Sequence, residues 1–262
     1  MIYCNLKGNL GNILFQVAAT TAIAKDNDTT ASFPNLLNLL RKINSDTMHT
    51  PSLKHAHEYM FLFKDLNLEA PRESLPLIKY PFHYENKKIP KDCWIDGFFQ
   101  SEKYFIKHRG LLLKTFSPTK EIEDFLNSYR EILSKRTVSL HVRRGDYLRL
   151  SHIHPVLPLS YYRNALDMVP SFDKCLVFSD DMEWCKKTFK EDKFIFIEEK
   201  DYYEIFLMSK CNNHIVANSS FSWWGAWLNK NPDKTVIANK ILVTDVVNID
   251  IKDRNPESWI VI

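Results

Sequence analysis

Glycine is scarce in this chain, with 6 residues among 262, so each glycine marks a place where the backbone turns tightly or approaches another group. The chain also lacks an excess of charge of one sign, because 35 Lys and Arg residues face 32 Asp and Glu residues, for a net charge of +3. This balance argues against a protein that binds nucleic acid or an anionic membrane through bulk positive charge.

No uninterrupted apolar run reaches about 18 residues, so we expect no membrane-spanning helix. No charged segment followed by an apolar segment precedes the first predicted strand, so we expect a cytoplasmic protein or a soluble portion of a membrane-associated enzyme. The cysteines are widely spaced and form no C-x-x-C pair, which argues against a zinc site and favours buried, reduced thiols. They are Cys4, Cys93, Cys175, Cys185 and Cys211.

Short apolar strands alternate with helices in the second half of the chain, which predicts βαβ units on a parallel sheet. The predicted strands are 137–142, 175–178, 194–197, 215–217 and 235–238, and the predicted helices are 121–133, 161–168, 182–189, 202–210 and 221–228. A strand, a glycine turn and a helix over 13–25 open the first half, whereas 26–110 shows no clear order. We therefore predict two α/β domains, 1–120 and 121–262, with the C-terminal tail packing back on the first.

Two consecutive arginines follow the predicted strand 137–142, in the segment HVRRGD over 141–146. Ligands bind beside the carboxyl ends of parallel strands, and guanidinium groups clamp phosphate oxygens through paired hydrogen bonds. Gly145 permits a tight bend or a close ligand approach at this point. A salt-bridged surface turn in which Asp146 pairs with an arginine explains the same residues, and both interpretations stay open.

Ser219 and Ser220 follow the predicted strand 215–217 and open a helix. The free backbone N–H groups of a helix N-terminus make an anion site, and an ordinary serine cap explains the pattern equally well. The tryptophans of this helix can stack on a base or a sugar, but core packing is the better interpretation for at least two of them. They are Trp223, Trp224 and Trp227.

Two further segments follow predicted strands. Asp180 and Asp181 are adjacent, so their carboxylates diverge, and a helix cap is favoured over a metal pair. The segment GNLGN over 8–12 is not G-x-G-x-x-G, so it gives poor support for a dinucleotide fold, although its turn can lie against a phosphate. Arg-Arg, Asp-Asp and Ser-Ser at three strand ends on one sheet edge fit a diphosphate better than a neutral metabolite.

Taken together, these segments resemble the motifs of α-1,2-fucosyltransferases, nearly end to end and in the expected order. The matching segments are 8–16, 94–101, 141–146, 178–181, 207–209 and 218–227. The resemblance implies a GT-B fold, which has two Rossmann-like domains with the active site in the cleft between them. It also implies GDP-β-L-fucose as the donor, inversion to an α-1,2 linkage at O2 of a galactose-containing oligosaccharide, and arginine in place of a divalent metal.

The same resemblance assigns roles to residues of the second half. Arg143 and Arg144 are expected to hold the pyrophosphate, and His141 is expected to lie close to the nucleotide. Ser219 and Ser220 are expected to contact phosphate.

Three further residues receive roles from the resemblance. Glu204 stands where related enzymes place a carboxylate that reads guanine, and Gly11 and Asn12 are expected to reach the diphosphate and the reacting centre. Asp146 is the acidic residue closest in sequence to the arginine pair, so it is expected to act either as the general base or as a carboxylate that orients an arginine, unless the reaction needs no strong base. The expected catalytic residues are Asn12, Arg143, Arg144 and Asp146.

Three alternatives stay open beside this prediction. The chain can transfer another GDP-sugar, it can be a sugar-nucleotide-binding protein without catalysis, or it can be a metal-dependent GT-A transferase that uses Asp180 and Asp181 as ligands. Nucleic acid is not an expected partner, whereas peripheral association with a membrane is compatible with the prediction.

Overall fold

A computed structural model describes residues 1–41 and 56–262, and the chain divides into two compact units. The first unit comprises Met1–Ser117 and Asp250–Pro256, and the second comprises Pro118–Ile249 and Glu257–Ile262. Each unit is built around its own parallel β-sheet.

The first unit holds a four-stranded parallel sheet in the order β2-β1-β4-β3. Its strands are β1 (Ile2–Cys4), β2 (Ala31–Ser32), β3 (Leu77–Lys79) and β4 (Cys93–Asp96). Its α-helices are α1 (Leu10–Asp26), α2 (Leu36–Arg41), α3 (Met60–Phe63) and α4 (Arg109–Thr115), with 3-10 turns at Ala56–Tyr59, Glu102–Tyr104 and Ile106–His108. Helix α1 follows β1 through a glycine turn and is largely buried, which confirms the helix predicted over 13–25.

The second unit holds a six-stranded parallel sheet in the order β10-β9-β8-β5-β6-β7. Its strands are β5 (Thr137–Val142), β6 (Lys174–Ser179), β7 (Phe194–Ile197), β8 (Asn213–Val216), β9 (Val236–Ala238) and β10 (Ile260–Val261). Its helices are α5 (Lys120–Ser128), α6 (Arg130–Leu133), α7 (Leu159–Met168), α8 (Met182–Thr188), α9 (Asp201–Met208) and α10 (Ser220–Leu228), with 3-10 turns at Asp146–Leu148 and Asp245–Val247.

The order of the second sheet reverses next to β5. The chain runs outward from β5 through β6 to β7, and then returns to place β8 on the other side of β5. In open α/β sheets, ligands bind beside the carboxyl ends of the strands at such a reversal. The segments that follow β5 and β8 therefore flank the expected ligand position of this unit.

The sequence prediction was wrong in detail at two helices. The helix predicted over 121–133 breaks between α5 and α6, where the Ser128 hydroxyl donates to the Phe125 carbonyl at 2.6 Å and competes with the helical pattern. Helix α7 begins at Leu159, two residues before the predicted start at residue 161, with Pro158 at its N-cap.

The predicted buried thiols are found, because all five cysteines are unpaired and buried. Burial raises the pKa of Cys4 and of Cys211 to about 12, so these thiols stay protonated and unreactive at neutral pH. Trp223, Trp224 and Trp227 are also buried, which confirms their predicted role in the core. Among the described residues, no helix is both long enough and apolar enough to cross a bilayer.

Candidate functional site

Arg143, just after β5, is held by two carboxylates. Its Nη1 lies 2.8 Å from Asp180 Oδ2, and its Nη2 lies 2.6 Å from Asp146 Oδ1. Its guanidinium also lies 5.1 Å from the centroid of the Tyr147 ring. The side chain is only 20% exposed, so these ion pairs fix its position more firmly than those of an exposed surface arginine, although Asp146 Oδ1 accepts no hydrogen bond of regular geometry among the described residues.

Arg144 is held differently and keeps more of its donors. Its backbone N–H donates to Asp180 Oδ1 at 2.8 Å, and its Nε donates to Asp181 Oδ2 at 3.0 Å. The guanidinium stacks over Trp184 with 4.3 Å between Cζ and the ring centroid. Within the described part of the chain, no ion pair involves its Nη1 or Nη2, so four N–H groups are left for a ligand.

The two adjacent aspartates diverge, as predicted, and all four of their carboxylate oxygens are engaged. Besides its bond to Arg144, Asp181 accepts a hydrogen bond from the Trp184 N–H at 3.2 Å and so caps α8. Both carboxylate oxygens of Asp180 contact the arginines: Oδ2 pairs with Arg143, and Oδ1 accepts from the Arg144 backbone N–H. Across residues 1–41 and 56–262, no group of three or more His, Cys, Asp or Glu side chains is placed to hold a metal ion.

Gly145 makes this network possible. A Cβ atom at this position would lie 2.7 Å from Asp180 Oδ2. Because real Cβ atoms do not approach an oxygen so closely, any other residue would push Asp180 away from both arginines. The group that approaches Gly145 closely is therefore the Asp180 side chain of the same chain.

The segment after β8 lies beside the same strand ends. The Ser219 hydroxyl accepts from the Phe221 N–H at 3.3 Å and caps α10, and no acidic residue occupies the first turn of that helix. The Tyr147 hydroxyl donates to the Asn218 carbonyl at 3.1 Å, which ties the segment after β5 to the segment after β8. Ser220 begins α10 directly after the cap.

His141, on β5, is buried and packs against Phe221 with 5.6 Å between ring centroids. Burial lowers the pKa of His141 to about 4, so the imidazole is neutral at physiological pH. Its Nδ1 atom is buried and has no hydrogen-bond partner among the described residues. A buried, unsatisfied nitrogen beside the arginines fits a position close to a ligand.

Glu204 lies in the first turn of α9 and is half-buried. Burial raises the pKa of Glu204 to about 8, and the neighbouring Asp201, Glu199 and Glu198 carboxylates add to the increase. The Glu199 N–H donates to its Oε1 at 3.2 Å and opposes that increase. Near neutral pH, a large fraction of Glu204 is therefore protonated.

In the first unit, the glycine turn after β1 is braced by side-chain amides. Gly8 has φ +82°, a conformation that favours glycine. Gln16 accepts from the Lys7 N–H at 3.0 Å and donates to the Lys7 carbonyl at 2.7 Å. Asn12 Oδ1 accepts from Gln100 Nε2 at 2.8 Å. Sequence reasoning did not single out Gln100, although it lies in the segment 94–101 that carries part of the resemblance.

The structure thus brings the predicted Arg-Arg and Asp-Asp strand ends into direct contact, with Ser219 and Ser220 at the neighbouring strand end. Glu204 follows β7, the edge strand that lies three positions from β8 in the same sheet, and Gly11 and Asn12 lie at the start of α1 in the first unit. Arginines at the strand ends of a doubly wound parallel sheet are placed where such sheets bind ligands, and their chemistry suits a phosphorylated ligand.

The comparisons with known proteins specify the class. The family model described as glycosyl transferase family 11 matches residues 1–262, and the chain belongs to this family. The chain is 29% identical to the O-antigen biosynthesis glycosyltransferase WbnK of Escherichia coli, over 90% of this chain and 93% of the relative. It is 31% identical to an α-1,2-colitosyltransferase of Escherichia coli, over 99% of this chain and 98% of the relative. It is 26% identical to the rat galactoside α-(1,2)-fucosyltransferase 2, over 92% and 70%.

The solved structure of the fucosyltransferase NodZ from Bradyrhizobium shares the fold, with a TM-score of 0.51 at 13% identity over 86% of this chain and 92% of that one. The predicted GT-B type of fold, with two Rossmann-like units, is confirmed. The resemblance to the α-1,2-fucosyltransferase family and the prediction of a glycosyltransferase are confirmed as well.

Proposed function

We propose that this chain transfers L-fucose from GDP-β-L-fucose to O2 of a galactose unit in an oligosaccharide, with inversion to an α-1,2 linkage and without a divalent metal. The observation that carries the proposal is the arginine pair fixed by Asp146, Asp180 and Asp181 at the reversal of the second sheet. The family match and the galactoside α-1,2-fucosyltransferases among the relatives support the choice of sugar and linkage.

The charges of this network support one set of hydrogen-bond donors for a diphosphate. Three carboxylates face two guanidinium groups, so the network has no excess of positive charge to offer. Binding then depends on N–H groups that remain free to donate, which are those of Arg144 Nη1 and Nη2 and of the backbone at the start of α10. Both donor sets act on the oxygens that gain negative charge as the glycosidic bond breaks.

A second donor is favoured by one observation. The chain aligns with an α-1,2-colitosyltransferase at 31% identity over 99% of its length. Colitose is 3-deoxy-L-fucose, so the two donors differ by a single hydroxyl group. A site built to hydrogen-bond that hydroxyl discriminates strongly against the deoxy sugar, whereas an apolar site discriminates weakly.

The test is transfer by the purified protein from GDP-fucose, GDP-colitose and GDP-mannose to β-galactosides. We expect transfer from GDP-fucose to exceed the others by at least about tenfold, with NMR showing an α linkage at O2 of galactose. EDTA should leave the rate unchanged. A preference for GDP-colitose would replace the proposed sugar, and loss of activity in EDTA would contradict the metal-free mechanism. Cytoplasmic residence and membrane association stay predictions.

Asp146 is proposed to orient Arg143, because its carboxylate lies 2.6 Å from Arg143 Nη2. In Asp146→Asn, we expect GDP affinity and transfer rate to fall together, each by about tenfold, since the amide keeps the shape and loses the charge. Calorimetry with GDP and initial rates measure the two effects. A general base would instead lose transfer and keep GDP affinity, and that result would move the proton-accepting role to Asp146.

A further inference from the structure

The side chain of Gln100 is buried next to Asn12, a residue that the family resemblance places at the reacting centre. Gln100 is 7% exposed, and its Nε2 donates to Asn12 Oδ1 at 2.8 Å. The Oε1 of Gln100 is buried and has no hydrogen-bond partner among the described residues. The hydrogen bond to Asn12 is therefore the only one described for the Gln100 side chain.

The backbone around Gln100 is held in an unusual conformation. Phe99 has φ +51°, in the left-handed region that bulky residues avoid, and it is fully buried between Tyr80 and Tyr104, with 5.2 Å from its ring centroid to each of theirs. The Ser101 N–H donates to the Phe99 carbonyl at 2.7 Å and closes a three-residue turn centred on Gln100. Strained backbone that the surrounding core holds in place is a mark of functional positions.

Asn12 is constrained from three sides. Gln100 occupies its Oδ1, and Gln16 Nε2 donates to its backbone carbonyl at 3.0 Å. Its Nδ2 lies over Gly8, where a Cβ atom would be 2.5 Å away. No hydrogen bond described in this part of the molecule uses Nδ2, so the amide is left to act through its N–H groups.

We propose that Gln100 is a positioning residue that fixes the Asn12 amide with Nδ2 free, so that Asn12 serves the reaction as a hydrogen-bond donor to a substrate oxygen. This inference rests on the proposed function, since it concerns the same reaction. A donor amide stabilises an oxygen that gains negative charge and cannot take a proton from the attacking hydroxyl.

Gln100→Glu tests the orientation, because it keeps the shape and replaces the donating nitrogen by oxygen. The ionised carboxylate repels Asn12 Oδ1, so the Asn12 amide turns over and offers oxygen to the substrate. The protonated carboxyl can donate again and restores the original orientation. We expect kcat of Gln100→Glu to be at least about tenfold below wild type at pH 8.5. The ratio of the Gln100→Glu rate to the wild-type rate should rise as the pH falls to 5.5. Burial raises the pKa of a carboxyl group, so the introduced Glu is protonated at that pH and can donate again.

A purely structural contribution of Gln100 would lower activity at all pH values alike and would not produce this recovery. Asn86→Asp is the matched control, because it adds a charge at an exposed position of the same unit. We expect it to keep the wild-type rate and pH profile. Equal rates for Gln100→Glu and wild type across the pH range would overturn the proposal.

Chemical unfolding gives a second readout that does not depend on activity. Asn12→Asp keeps an acceptor for Gln100 Nε2, so we expect it to retain stability, whereas Gln100→Glu should be destabilised at pH 8.5 and recover at pH 5.5. The opposite pattern would mean that Asn12 donates to Gln100, and it would overturn the proposed orientation. If wild type transfers no sugar from any GDP donor, the proposed function fails, and the unfolding data still decide the orientation.

Discussion

Arg144→Ala is expected to reduce the transfer rate by at least about a hundredfold while the protein stays folded, because in the proposed site it removes a stabilising charge at the leaving diphosphate. Arg144 keeps Nη1 and Nη2 out of the ion pairs described for the site, whereas Arg143 uses both of its Nη groups on Asp146 and Asp180. We therefore expect Arg144→Ala to bind GDP-fucose more weakly and to have a lower kcat. Steady-state kinetics, with circular dichroism to confirm the fold, measure it.

Two variants sharpen this test. Arg144→Lys should recover only part of the activity, because an ammonium group cannot form two parallel hydrogen bonds and cannot keep both Asp181 and a phosphate. Arg149→Ala removes an exposed arginine from the neighbouring turn and should behave like wild type. A folded Arg144→Ala protein with a near-normal rate would exclude Arg144 from phosphate binding and transfer that role to Arg143 or to the start of α10.

The affinity for GDP-fucose is expected to rise with pH between about 6.5 and 8, by up to about tenfold per unit, if Glu204 reads guanine as the resemblance implies, because only its ionised form accepts both guanine N–H groups. Glu204 has its pKa raised to about 8 by burial, so most molecules are protonated below that pH and must release a proton to accept the guanine N1–H and N2–H groups. Above pH 8 the carboxylate is already ionised, and the affinity should level off. Calorimetry in two buffers of different ionisation enthalpy measures the released proton directly.

Glu204→Gln is the matched variant for this prediction. The amide has nearly the same shape and does not titrate, so binding should become independent of pH in this range and weaker by about a hundredfold at pH 8, since hydrogen bonds to a charged group are lost. The preference for GDP over ADP should shrink in the same variant. If Glu204→Gln binds GDP-fucose like wild type, another residue reads guanine and Glu204 is only a residue of α9.

The sequence predicts the second unit better than the first for a physical reason. Strand β5 is buried along its whole length and β7 is an unbroken apolar run, so 137–142 and 194–197 were predicted with the bounds that the structure gives to these strands. The first unit is built on β2, with two residues, and on β3, whose first and last residues are exposed, and neither leaves a strong apolar pattern.

The site shows the same division between local and non-local information. Arg143, Arg144 and Asp146 are close in sequence, so their association could be predicted from one segment. The bond from Gln100 to Asn12 joins residues 88 positions apart, and no local pattern signals it. The raised pKa of Glu204 also arises from burial in the folded protein, which the sequence does not state.

The carboxylates that hold the two arginines also restrict how this sequence can evolve. Asp180 touches both arginine residues, and Gly145 leaves just enough room for it, so four positions on two strand ends depend on one another. A substitution at one of them leaves a charge without its partner, and the substitution that would compensate lies more than thirty positions away. Such epistasis makes gradual drift at this edge of the sheet costly, because a change at one strand end must be matched by a change at the other.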